Sequence, residues 1–186
     1  MRYILLVLLF IFYLFFFIRA RILSKSIGKS IKGKNPIVNF SIFFAGISSI
    51  IFITYLIFPM ISNYFYVIFN SQILSIIGSI LIFIGLLTSI IASLSLKNSW
   101  RIGIDEDEKT ELITSGIYKF SRNPYFLSFD LVLIGMVLCF FSFILIITVL
   151  VTIIFFHIII LNEEKYLEKK HGSNYQEYKE KVRRYL

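Results

Sequence analysis

Two short polar blocks carry most of the side chains able to do chemistry. Arg122-Asn123-Pro124-Tyr125 precedes, and Glu163-Glu164 follows, the 37-residue segment Tyr125–Leu161, whose one formal charge is Asp130. A guanidinium such as that of Arg122 clamps a carboxylate with two hydrogen bonds. An adjacent acidic pair receives amines or ribose hydroxyls, or balances a cationic cofactor. The same charges equally suit a salt bridge that only locks a hairpin, and Arg122 an anchor before a capped helix, with Asn123 as cap and Pro124 in its first turn. Before them, Glu111 to Tyr118 contains Gly116, which permits a turn bringing backbone amides and the Thr114 or Ser115 hydroxyl towards a small molecule. An ordinary membrane re-entry turn with Tyr118 as an interfacial anchor reads the same way. Asp130, inside an apolar stretch, must face protein or water, and a polar contact between helices is its favoured role.

Other chemistries find no pattern here. His157 lies in an apolar run and His171 in a polar tail, a separation that matches no metal motif, so the expected metal set is none. Cys139 is the sole cysteine, which rules out an intramolecular disulfide and a cysteine cluster. No nucleophile elbow, Walker loop, Cys-His relay or dinucleotide fingerprint occurs.

The elements that must position these residues are membrane helices. At 58% apolar and 18% aromatic residues, with 21 Phe in 186 residues, the chain is too apolar for one soluble domain. Its mean hydropathy is +0.83. The expectation is an all-α integral membrane protein, a bundle of about five transmembrane helices with a C-terminal helical tail. Spans are expected over Tyr3–Ile18, Phe40–Ile61 and Ile73–Leu96. Tyr125–Leu161 would measure about 55 Å as one helix, nearly twice a hydrocarbon core of about 30 Å, so it must be a hairpin turning near Cys139–Ser142. Beyond it, Gly172 ends a polar helix, and Tyr175, Tyr178, Val182 and Tyr185 recur at helical spacing in a second amphipathic segment.

Arg19, Arg21, Lys25, Lys29, Lys32 and Lys34 form a basic, acid-free loop, a cytoplasmic signal. Alternation then puts both polar blocks and the tail on the cytoplasmic face and the N-terminus outside. The net charge of +8 is thereby assigned to anionic lipid headgroups and not to nucleic acid. The basic tail Lys179–Arg184 belongs near the same headgroups. Residues 1–96 read as a three-span scaffold and 97–186 as the helical hairpin with its polar flanks and tail, parts of one integrated membrane domain in the plasma membrane of a prokaryote. Oligomeric state is left open.

Taken together, Trp100-Arg101-Ile102-Gly103, Leu112 to Tyr118, Arg122-Asn123-Pro124-Tyr125, Glu163 to Leu167 and Gly172 to Tyr178 resemble the isoprenylcysteine carboxyl methyltransferase family. The resemblance covers Asn98 to Val182. It implies a compact membrane bundle with an S-adenosylmethionine pocket built from the segment before the penultimate span and the tail after the last, which makes 97–186 the cofactor-binding region. It assigns that pocket to Thr114, Gly116, Ile117, Tyr118, Arg122, Asn123, Pro124, Tyr125, Glu163, Glu164, Tyr175 and Tyr178. Arg122 and Glu164 are the catalytic candidates, with Arg101 and Lys181 as weaker alternatives to Arg122. The family carries His where this chain has Asn123, so no histidine base transfers. The implied activity is methylation of the polar head of a lipid or lipid-modified molecule, including a prenylcysteine-like carboxylate. Membrane lipids and such a small-molecule substrate are the implied partners. A nicotinamide-dependent membrane reductase of the sterol type resembles the same blocks, and a non-enzymatic lipid-binding scaffold also accommodates them.

Overall fold

Long Ile, Leu and Phe runs become helices in this chain because nothing inside them breaks the backbone ladder, and because apolar side chains need no partner in lipid. The computed structural model describes residues 2–28, 35–60, 64, 67–69, 71–96 and 111–186. Helices α1 (Arg2–Ile27), α2 (Pro36–Ile57) and α3 (Gln72–Ser95) are followed by a short 3-10 turn, Gly116–Lys119. Then come α4 (Pro124–Cys139), α5 (Phe143–His171) and α6 (Ser173–Lys181). Local chemistry sets their starts. Asn35 Oδ1 caps α2 by accepting from the Ile37 amide at 2.9 Å, with Pro36 in the first turn. Gly172, at φ 52°, ends α5 where a side chain would be strained.

Helices α1, α2, α3 and α5 are each long and apolar enough to cross a membrane. Their outer faces expose Phe10, Phe43, Ile80 and Ile154, as a lipid-facing surface does. The protein is an all-α integral membrane bundle. The expected hairpin is present, but its arms are unequal. At 16 residues α4 spans about 24 Å, whereas the 29 residues of α5 reach about 43 Å and project beyond a hydrocarbon core of about 30 Å. Helix α1 also outruns its expected end, so Arg19, Arg21 and Lys25 sit on a helix and not in a loop. Lys29, Lys32 and Lys34 lie outside the described residues, as do Trp100, Arg101 and the Asn98 end of the family-like region.

Helix α4 is held against α3 by an approach of backbone to backbone. A Cβ on Gly78 would stand 2.5 Å from the Gly135 carbonyl oxygen, and one on Gly85 would stand 2.7 Å from the Ser128 carbonyl oxygen. Only glycine fits there, which is the small-residue packing expected where lipid supplies no hydrophobic drive between helices. Helix α2 packs on α5 with a polar contact of its own: Ser48 Oγ donates to Thr148 Oγ1 at 3.0 Å. At the far end of the hairpin, the turn is fixed by a two-stranded antiparallel ribbon that the sequence did not announce. Strand β1 (Val67–Phe69) pairs with β2 (Phe141–Ser142), and the Phe140 ring stacks on Tyr55 with centroids 3.9 Å apart.

Candidate functional site

The polar projection of α5 and the start of α4 meet at the end of the bundle opposite the ribbon. Glu164, 5% exposed, is the hub. Its Oε1 accepts from Arg122 Nε at 3.3 Å, Arg122 Nη2 at 3.1 Å, Asn123 Nδ2 at 3.1 Å and Arg184 Nε at 3.1 Å. Its Oε2 accepts from Arg184 Nε at 3.1 Å and Nη2 at 2.9 Å. Burial alone would raise this carboxyl, but the Arg184 hydrogen bonds and the Arg122 charge outweigh it and hold it below the usual carboxylate range. Two guanidinium groups against one carboxylate leave a local surplus of positive charge.

The chain after α6 wraps across this hub. The Arg122 amide donates to the Arg183 carbonyl at 2.9 Å, and Arg122 Nη1 donates to the carbonyls of Val182 at 2.6 Å and Lys179 at 3.1 Å. Ser121 Oγ and Asn123 Nδ2 both donate to the Arg184 carbonyl, at 3.2 and 3.3 Å. Asn123 occupies the cap position of α4 yet makes no side-chain cap bond. Its amide is turned to Glu164 instead, which corrects the capping role expected for it. Arg184 likewise leaves the headgroup region assigned to the basic tail and pairs with Glu164.

Helix α6 supplies the remaining wall. Tyr178 donates its hydroxyl to the Tyr118 carbonyl at 2.6 Å, tying α6 to the 3-10 turn. Gly116, at φ 64°, opens that turn, and Tyr118 is buried beneath it. Tyr175 is 1% exposed, and its hydroxyl finds no hydrogen-bond partner among the described residues. Burial first, then the Glu164 charge, push that hydroxyl well above the ordinary tyrosine range, while nearby Arg122 opposes them. Tyr178 is raised to about 12, again chiefly by burial. The buried Tyr175 hydroxyl thus stands beside Arg122 and Glu164 without a well-formed hydrogen bond among the described residues.

Among the candidates read from sequence, Tyr118, Arg122, Asn123, Glu164, Tyr175 and Tyr178 converge here. Pro124 is buried as the first residue of α4, Ile117 is half-buried in the turn, and Thr114 is exposed. Glu163 stands away from the hub. Burial raises its carboxyl to about 7, and Tyr118 feels its charge. Lys181 turns to the surface, where its Nζ lies 2.5 Å from Glu177, and does not join the site. Arg184 and the tail carbonyls are the members that sequence reasoning missed. Only the place of Arg184 beside Val182 and Tyr185, the last members of the tail's helical pattern, could have pointed to them.

Tyr125 faces a different surface. It packs edge-on to Phe16 and Phe126, with ring centroids 5.8 and 5.7 Å away, and lines an apolar cavity of about 290 Å³. The walls come from α1, α2, α4 and α5, and include Phe12, Phe129, Leu133 and Phe156. The cavity occupies the half of the bundle next to the Glu164 hub.

Below the hub lies a second polar layer. Asp130 sits seven residues after Asn123 on α4, and His157 seven residues before Glu164 on α5. Each is two helical turns deeper, about 10 Å at ~1.5 Å per residue. Tyr185 reaches this layer from the tail, its hydroxyl 2.7 Å from His157 Nδ1. Burial and the Asp130 charge raise the Tyr185 hydroxyl. Asp130 Oδ1 is buried without a hydrogen-bond partner among the described residues, so the helix-to-helix contact expected of it is not made.

No curated protein and no solved structure matches the chain. A family model described as phospholipid methyltransferase matches residues 73–174, from the start of α3 to the start of α6. That span takes in the glycine-packed α3–α4 pair, the Arg122 block and Glu164, and covers more than half of the chain. With the membrane bundle and the polar hub that it encloses, the match establishes that this chain belongs to the phospholipid methyltransferase family, the same family of membrane methyltransferases as the isoprenylcysteine carboxyl methyltransferases.

Proposed function

We propose that this membrane methyltransferase transfers the methyl group of S-adenosylmethionine to the polar head of a membrane lipid, with the reaction centre between the Glu164 hub and the apolar cavity. The observation that carries this reading is the adjacency of those two features on α4 and α5. A charged, tyrosine-flanked hub suits the polar groups of a nucleotide cofactor, and an aromatic-lined cavity within the bundle suits an apolar chain. The family match supports the methyltransferase class and a lipid acceptor.

The residues present fit this cofactor. It carries a carboxylate, an ammonium and a sulfonium, and the hub offers Arg122 and Arg184 for the first and Glu164 for the cationic groups. The orphan hydroxyl of Tyr175 gives one more hydrogen-bonding position. When bound, the cofactor supplies an electrophilic methyl carbon on a positively charged sulfur. Methyl transfer then depends mainly on alignment, so the protein's task is to hold two molecules in line and no covalent enzyme intermediate is needed. Arg122 is suited to this because Glu164 and the Val182 carbonyl fix its guanidinium in one orientation. The Val182–Arg184 strap lies over the hub, where it would shield the bound groups from water. Phe126, Phe129 and Phe156 keep the acceptor's chain in a dry environment, with its head directed to the polar end. Sidedness follows from the charge pattern: the basic residues of α1 and the hub share one end of the bundle, which we assign to the cytoplasm.

Calorimetric titration of the detergent-solubilised protein with S-adenosylmethionine, beside a reduced nicotinamide nucleotide, tests the reading. Saturable binding of the first, weakened at least tenfold by Arg122→Ala, is expected. Labelled methyl should appear in the lipid fraction of membrane extracts. Binding of the nicotinamide nucleotide alone would place the protein with the reductases, and binding of neither would leave a lipid-binding scaffold.

A further inference from the structure

Asp130 has no role in the cofactor pocket, and its cost needs an explanation. A carboxylate within an apolar membrane helix is unfavourable by about 2.5–3.5 kcal/mol even on insertion scales, and such residues face protein or water where they serve transport, binding or catalysis. Here Oδ1 is enclosed without a hydrogen-bond donor, while the neighbouring polar groups of the same layer satisfy each other, His157 Nδ1 with the Tyr185 hydroxyl. The layer also repeats the register of the hub. Asn123 bonds to Glu164 across the α4–α5 pair, and seven residues deeper on each helix Asp130 and His157 stand at matching depth, joined through Tyr185, which bonds His157 and feels the Asp130 charge. The tail spans both layers, because Arg184 pairs with Glu164 and the adjacent Tyr185 meets His157.

Resting on the lipid-methyltransferase reading above, we propose that Asp130 receives the acceptor's head group, binding it as an ammonium and taking its proton, with His157 and Tyr185 as the pair that positions the tail over it. A buried carboxylate oxygen lacking a donor calls for a cationic N–H partner and repels an anionic one. An acceptor carboxylate at this depth would meet Asp130 with Glu164 above it. An ammonium head supplies the missing donor. In the proton step, one N–H bond of the ammonium breaks, its electron pair stays on nitrogen, and the proton joins Asp130 Oδ1, giving a neutral amine and a carboxylic acid. The amine's free pair is what any methyl acceptor requires. The lipid chain would then lie along α4 towards the aromatic cavity, and the head two turns below the cofactor's polar contacts.

The test measures binding of two probes of equal chain length, dodecylamine and dodecanoate, to the full-length protein in lipid nanodiscs, with S-adenosylmethionine titrated separately. Wild-type protein is expected to bind the amine at least tenfold more tightly than the carboxylate. Asp130→Asn should abolish that preference while leaving cofactor affinity within twofold, and Asp130→Glu should restore part of it. Tyr185→Phe should raise KM for an amine lipid more than it lowers kcat, since it loosens the tail without removing the carboxylate. If Asp130→Asn fails to fold, the Asp130→Glu and Tyr185→Phe proteins still report the preference and the kinetic split. Wild-type preference for dodecanoate, or an amine preference that survives Asp130→Asn, overturns the proposal. Loss of cofactor binding in the wild-type protein overturns the methyltransfer reading instead, and the two results come from separate titrations.

Discussion

The two flanks of α4 are built on opposite rules. Towards α3, Gly78, Gly85 and Gly135 bring backbone close to backbone, with Cys139, Val132 and Ile82 packed tightly around them, so little adjustment is available. Towards α1, α2 and α5, aromatic side chains stand around a cavity of about 290 Å³, and the start of the helix enters a network of charges with the tail. One flank is a fixed wall and the other is a chamber. The difference teaches why so short a helix can carry a site. On the proposed reading, Arg122 and Asn123 need a position defined to within a fraction of an ångström, which contact with α3 provides, while the chamber keeps space for an apolar chain.

The largest expected effect comes from breaking the chamber's charged lid. Glu164→Ala leaves Arg122, whose side chain is 8% exposed, and Arg184 without their shared carboxylate. The expected loss is about 3–5 kcal/mol, because an unpaired buried charge remains. A thermal unfolding series in detergent should show it, together with loss of cofactor binding. A Glu164→Ala protein with wild-type melting would show that the hub is no tighter than a surface pair.

Next comes the wall. Gly85→Leu places a Cβ 2.7 Å from the Ser128 carbonyl oxygen, and backbone cannot move aside as a side chain can. Overpacking of this kind costs about 1–3 kcal/mol, and it should displace the Arg122 block enough to lower kcat. The same kind of enlargement across the helix sharpens the contrast. Ala45→Leu projects into the cavity, so stability should change by no more than about 1 kcal/mol while KM for a long-chain acceptor rises. Equal destabilisation by the two substitutions would remove the distinction between the flanks.

The smallest effect is a matter of pH. Burial lifts Glu163 to about 7, above its ordinary value of 4.5, so the folded protein retains a proton that the unfolded chain gives up. The associated stability is complete below the ordinary value and is lost as pH rises through about 7. Glu164, held low, acts in the opposite sense, its contribution vanishing as pH falls below the usual carboxylate range. Glu163→Gln should therefore flatten the unfolding profile between about pH 4.5 and 7 and leave the acid limb unchanged. A profile that keeps its slope in this window would assign it to another group.

Much of this architecture is legible in the chain because the bilayer makes local signals decisive. Apolar length alone predicts the spans, and 37 residues are too many for one crossing, which forces the hairpin. Pro124 and Gly172 mark a start and a stop by backbone restriction. Asn123 shows the limit of such reasoning. Its position predicts a cap, but the free energy of pairing with Glu164 depends on a residue 41 positions away that no local rule can see. Arg184 is lost among basic tail residues for the same reason, and the β1–β2 ribbon escapes because strands of three and two residues carry no period.

The sequence by itself determined a membrane bundle, the pairing of two polar blocks at one end, and a likeness to membrane methyltransferases, since these rest on hydropathy, chain length and motif order. Tertiary structure alone decided which charges pair, that the tail straps the Glu164 hub, and that Asp130 Oδ1 is buried below it without a hydrogen-bond partner among the described residues. Those outcomes depend on relative helix rotation and depth, and those are set by glycine contacts between α3 and α4 and by hydrogen bonds between segments distant in the chain.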